Sequence, residues 1–94
     1  DASALIRKYS SQLGVECKSL RVKEMSKRWG SCSTAGIISL DWRLVFAPKR
    51  VAAYVVAHEL SHLLEMNHSP AFWQQVKSIY PDYLTARKEL KQYG

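Results

Sequence analysis

Ninety-four residues, 47% hydrophobic and 23% charged, suffice for one small globular domain and exclude a disordered or fibrous chain. No apolar run approaches the roughly 20 residues of a membrane helix, and no signal-like region stands at the start. The net charge of +6 favours anionic partners, but the basic residues are scattered as on an ordinary solvated surface, so nucleic-acid binding stays an open alternative.

A start at Asp1 reads as a domain excised from a longer protein, so residues 1–94 are expected to form a single domain. Cys17 and Cys32 form no C-x-x-C pair and no disulfide framework. They read as reduced thiols in a cytoplasmic setting.

The elements follow in chain order. "SALIRKYSSQLG" carries Leu5, Ile6, Tyr9 and Leu13 at helical spacing, and Gly14 is a stop. "SLRVKEM" alternates at Leu20 and Val22, as a half-buried strand does. "STAG" reads as a turn, and "IISLDWRLVF" supplies β-branched and aromatic residues for one or two further strands. Pro48 suits the first turn of a helix, where its missing N–H costs nothing. From Val51 to Leu64 that helix is apolar almost all round, which requires burial on most sides. Ser69-Pro70 reads as an N-cap and first-turn proline for a helix with Phe72, Trp73, Val76, Ile79 and Tyr80. Pro81 restarts the chain into a last helix with Tyr83, Leu84, Arg87 and Leu90. The expected class is α+β: a small, mostly antiparallel sheet with a buried helix and flanking helices.

The buried helix contains "AHELSHLLEMNH", which holds every histidine in the chain. Four residues turn about 400°, so His58 and His62 share one face and can reach one ion. Glu59 points about 100° away from His58, off that face and towards a water at the ion. This is the H-E-x-x-H arrangement of two ligands and one base on a rigid element. An unpaired carboxylate in an apolar helix is costly, and a divalent cation offers one partner to all three groups. The plainer alternative is that both histidines hydrogen-bond within the core while Glu59 makes a salt bridge.

A catalytic zinc commonly has three protein ligands and an open fourth position. His68 is the natural third, provided the helix ends between His62 and His68. Asn67 is the residue there best suited to a left-handed stop, so Glu65 to Asn67 is expected to bend and deliver His68. One Zn2+ ion on His58, His62 and His68 is the expected cofactor.

"RWGSCSTAGIISLDWRLVFAP", "YVVAHELSHLLEMNHSPAFW" and "YPDYLTARKEL" resemble, in that order, motifs of the YgjP-like family of metal-dependent hydrolases. The likeness runs from about Val22 to Leu90; the chain is more distantly similar to the SprT-like and WLM metallopeptidases. The resemblance implies a minimal zincin-like fold, zinc on the three histidines and Glu59 as catalytic acid/base. It also implies two substrate classes, since the family has carried both a peptidase and a nucleotide-pyrophosphatase label. Metzincins share the spacing to the third histidine, but they need a glycine where this chain has Glu65, and a downstream Met-turn. The only methionines are Met25 and Met66, which argues against that group.

Three function classes follow: a zinc metallopeptidase, a metal-dependent nucleotide phosphohydrolase, and a zinc-stabilised nucleic-acid-binding module. No glycine-rich phosphate loop supports the second. Tyr54, Arg28, Tyr80 and Tyr83 are candidate donors to charge developing in the reaction, with core packing the alternative for each tyrosine. "RWGSC" reads either as an edge strand that holds an extended substrate, with Trp29 walling the cleft and Gly30 allowing close backbone approach, or as a core anchor and a bulge. Glu65 and Asp41 are candidates to orient the histidines. Cys32 reads as a packed strand thiol rather than a ligand.

Overall fold

Helix α1 (Ala2–Leu13) turns Ile6 and Tyr9 into the core, in a computed structural model that describes residues 2–25 and 28–92. Gly14 ends the helix at φ +70°, and the Val15 N–H reaches back to the Ser10 carbonyl at 3.0 Å. That is the left-handed cap which glycine adopts without steric cost.

Three strands follow: β1 (Ser19–Lys23), β2 (Gly30–Cys32) and β3 (Ile37–Asp41), with β3 in the middle. The Ser33–Gly36 turn joins β2 to β3 as an antiparallel hairpin, and Gly36 takes φ +91° there. β1 runs parallel to β3. The sheet is therefore mixed, and the antiparallel expectation holds for only one of its two pairings. The cause is the connection between β1 and β2. It crosses the end of β3 instead of turning back beside β1.

Asp41 secures that crossing. Its carboxylate accepts from the Met25 N–H at 3.2 Å, from the Arg43 N–H at 2.8 Å and from the Arg43 guanidinium at 2.8 and 3.0 Å. Arg43 also donates to the Met25 carbonyl and lies over the Trp29 ring. Capped by Asp41, the chain enters a 3-10 helix, Trp42–Phe46, so "IISLDWRLVF" forms one strand and one short helix. Val22 is 56% exposed, against the half-buried expectation, because β1 is an edge strand; only Leu20 on that strand packs against the core.

Helix α2 (Lys49–Ser61) has Pro48 at its N-cap and is buried along most of its length. Helices α1, α3 (Pro70–Ile79) and α4 (Tyr83–Leu90) and strand β2 all pack against it. That explains its near-continuous apolar composition. Ser69 caps α3 by accepting from the Phe72 N–H, with Pro70 at the first helical position as expected. Ala86 anchors α4, while Leu84 faces outward. Arg50 and Glu89 clamp α2 to α4 with paired contacts of 2.6 and 2.7 Å. No described helix is long and apolar enough to cross a membrane.

Candidate metal centre

The α-helix stops at Ser61, three residues earlier than the apolar run suggests. The next three N–H groups, of His62, Leu63 and Leu64, bond three residues back instead of four, which tightens the turn. The Ser61 hydroxyl donates to the Ala57 carbonyl, and the Glu65 N–H to the Ser61 carbonyl. No described residue other than glycine has a positive φ, so Asn67 makes no left-handed stop. The bend at Met66 and Asn67 is made with ordinary backbone angles, and Ser69 then opens α3.

This turn brings the three histidines together. Ligand atoms of His58, His62 and His68 all lie within 4.8 Å of one another, and the Nε2 atoms of His58 and His68 are 3.3 Å apart. Two ligands about 2.1 Å from a tetrahedral ion stand about 3.4 Å apart, so that separation fits one small divalent cation. The hydrogen bonds agree. His62 donates from Nδ1 to the Glu65 backbone carbonyl at 3.0 Å, which leaves Nε2 as its lone-pair atom. His58 Nδ1 contacts the Tyr54 hydroxyl at 3.3 Å and likewise leaves Nε2 for an ion.

Electrostatics favour neutral rings. Burial, then the neighbouring His62 and His68, then Arg87 hold His58 down at about 3. Burial also lowers His62, against the bond to Glu65. A neutral imidazole is the form that binds a metal.

Glu59 packs against β2, with its side chain close to Gly30. It is only 7% exposed. Burial raises it to about 7, opposed by the positive charge of Arg28. A carboxylate poised near neutrality can both take up and return a proton. Gly30 makes room for it: a Cβ there would stand 3.1 Å from Glu59 Cγ and 3.2 Å from Oε2. The close approach expected at Gly30 is therefore made by the Glu59 side chain.

The other sequence candidates separate. Tyr54 is 3% exposed, with its hydroxyl raised to about 12 chiefly by burial and 3.3 Å from His58 Nδ1. Arg28 is exposed and acts on Glu59 through its charge. Trp29 is half-buried under Arg43, at the Asp41 corner. Tyr80 donates to the Arg50 carbonyl at the start of α2, away from the histidines. Glu65 supports His62 with its backbone, while Asp41 is committed to Arg43 and Met25. Cys17 and Cys32 are free, and neither joins the histidine group; burial pushes the Cys32 thiol up to about 11, with the Glu59 charge adding to it.

The aromatic backing of the site was not assigned from sequence. Phe72 stacks on His62 at 4.4 Å and contacts His58 and His68, and Trp73 stacks on His68 at 6.0 Å. Tyr83 stacks on Trp73 at 5.5 Å, and Arg87 lies 4.7 Å over its ring. The signal available was the Phe-Trp pair directly after Ser69-Pro70, which must fall in the first helical turn beside His68.

Two solved structures share the fold. The metallopeptidase zymogen abylysin of Pyrococcus abyssi is 24% identical with a TM-score of 0.80, covering 94% of this chain and 87% of its own. The metallopeptidase zymogen jannalysin of Methanocaldococcus jannaschii is 18% identical with a TM-score of 0.84, covering 99% and 96%. No curated protein matches the sequence. The model of the YgjP-like metallopeptidase domain matches residues 2–93, nearly the whole chain and the entire histidine site. With that span matched, and with three histidines gathered beside a buried glutamate, the chain belongs to the YgjP-like metallopeptidase family.

Proposed function

We propose that this domain is a zinc-dependent peptidase in which His58, His62 and His68 hold one Zn2+ and Glu59 is the general base. The observation that carries this reading is the convergence of three imidazoles whose ligand atoms lie within 4.8 Å of one another, with the largely buried Glu59 on the same helix as two of them. When bound, zinc supplies Lewis acidity to water and to the scissile carbonyl. The chain's own residues do the rest. Tyr54 and the Glu65 carbonyl hold two rings with Nε2 turned inward. Glu59 accepts a proton from the attacking water and returns it to the leaving amine. Burial raises Glu59 to about 7, and a cation in the site would favour its charged form, the form that accepts a proton.

The test begins with metal analysis of the purified domain, then parallel peptide and nucleoside-triphosphate assays with and without chelator. The expected result is about one zinc per chain and chelator-sensitive peptide cleavage. Glu59→Gln should keep the zinc and lose about 10²- to 10⁴-fold in kcat. Full activity in that variant would remove Glu59 from its role. Turnover of the triphosphate without peptide cleavage would replace the peptidase reading with a phosphohydrolase, and salt-sensitive nucleic-acid affinity without any turnover would replace it with a binding module.

A further inference from the structure

Arg87 stands out among the cations of this surface. It lies on α4 one turn after Tyr83, so both reach Trp73 from the same helix face. Its guanidinium carbon lies over the Trp73 ring, 4.7 Å from the ring centre, within reach of a cation–π contact. Arg87 makes no hydrogen bond or ion pair among the described residues, whereas Arg43 and Arg50 each hold a carboxylate. Arg87 is exposed, and its planar fork of N–H donors is unpaired among the described residues.

Its place relative to the histidines gives that fork a use. The Trp73 ring is 5.8 Å from the His58 ring, so the guanidinium is at most 5.8 Å plus 4.7 Å from His58. An extended peptide advances about 3.3 Å per residue, so a chain at the metal site brings its next one or two residues within reach of Arg87. A guanidinium fork matches a carboxylate with two parallel hydrogen bonds, and an arginine already held against an aromatic ring loses little side-chain entropy in forming them.

We infer that Arg87 is a specificity-determining anchor for a carboxylate on the peptide substrate, one or two residues from the scissile bond. The carboxylate is either an Asp or Glu side chain or the free C-terminus. This inference rests on the peptidase reading for its purpose, and its binding geometry stands apart from turnover. Arg87 makes and breaks no covalent bond.

Two measurements on the zinc-loaded protein test it. In the first, calorimetry follows short N-acetylated dipeptides with a free or an amidated C-terminus, and the same pair with Asp or Asn. Wild type should bind the carboxylate forms roughly 10- to 100-fold more tightly, the range of one charge-assisted pair. Arg87→Ala should erase that ratio, and Arg87→Lys should keep a fraction of it, since lysine retains charge and loses the fork. In the second, kcat/KM for matched peptides should show the same preference, carried by KM. The arm that loses its preference identifies which carboxylate is read. Equal preference in wild type and Arg87→Ala would overturn the role of Arg87 while leaving the peptidase reading intact. Arg87-dependent carboxylate binding without peptide cleavage would overturn the peptidase reading and keep the anchor. Absence of any carboxylate preference in wild type would overturn the anchor.

Discussion

Gly30→Ala probes the catalytic base without touching it. The new methyl group would stand 3.1 Å from Glu59 Cγ, 3.2 Å from Oε2 and 3.2 Å from the Ser39 carbonyl. The carbonyl cannot yield, because Ser39 sits on the central strand between two partners. Glu59 must therefore give way by a few tenths of an ångström. The backbone at Gly30 has no positive φ, so no conformational strain is added. A displacement of about 1 Å in a reacting group can cost about 10² in rate, so a shift of this size should lower kcat about 5- to 10-fold. Zinc content should be unchanged, since the histidines occupy another face of α2. The overpacking should cost about 1 kcal/mol of stability. The assay is kcat on a fluorogenic peptide with metal analysis in parallel, repeated on the Glu59→Gln background. If the effect runs through Glu59, Gly30→Ala should add little to Glu59→Gln. Wild-type kcat in Gly30→Ala, or an equal further loss on the Glu59→Gln background, would refute the reasoning.

The remaining expectations concern the metal and the frame. His68→Ala should weaken zinc by more than the roughly 10- to 100-fold typical of losing an orienting partner, read by competition with a chromogenic chelator. Tyr54→Phe removes only the contact at His58 Nδ1 and should fall within that 10- to 100-fold range, with the fold unchanged by circular dichroism. Asp41→Asn should destabilise the domain by about 2 kcal/mol, or about 10 °C in Tm, by weakening a buried charged acceptor. The pH dependence follows from its sign. Asp41 is held at about 2, first by its hydrogen bonds to Arg43, below the ordinary 3.8. Its contribution is complete above about pH 4 and is lost as pH falls through about 2. Denaturant titrations should show the Asp41→Asn penalty shrinking across that window, and a constant penalty would count against the assignment.

Local spacing carried much of the site. His58, Glu59 and His62 lie within two helical turns, so helix geometry alone directs two rings one way and the carboxylate another. Ser69-Pro70 and Gly14 were legible for the same reason: caps and stops are settled by the backbone needs of a few neighbouring residues. The arrival of His68 followed from the need to end the helix. The manner of its arrival did not, because a tightened right-handed turn and a left-handed asparagine stop satisfy the same sequence constraint.

What joins distant segments was decided only in the folded chain. Gly30 against Glu59, Trp73 against His68 and Arg87 over Trp73 each pair residues from different elements, and no periodicity encodes such partners. The direction of β1 depended on a crossover fastened by Asp41, a residue whose burial could not be read from its neighbours. Residue type and local period thus specified which groups can do the chemistry. Tertiary packing specified which of them meet, which are oriented, and which, like Arg87 among the described residues, keep unpaired donors.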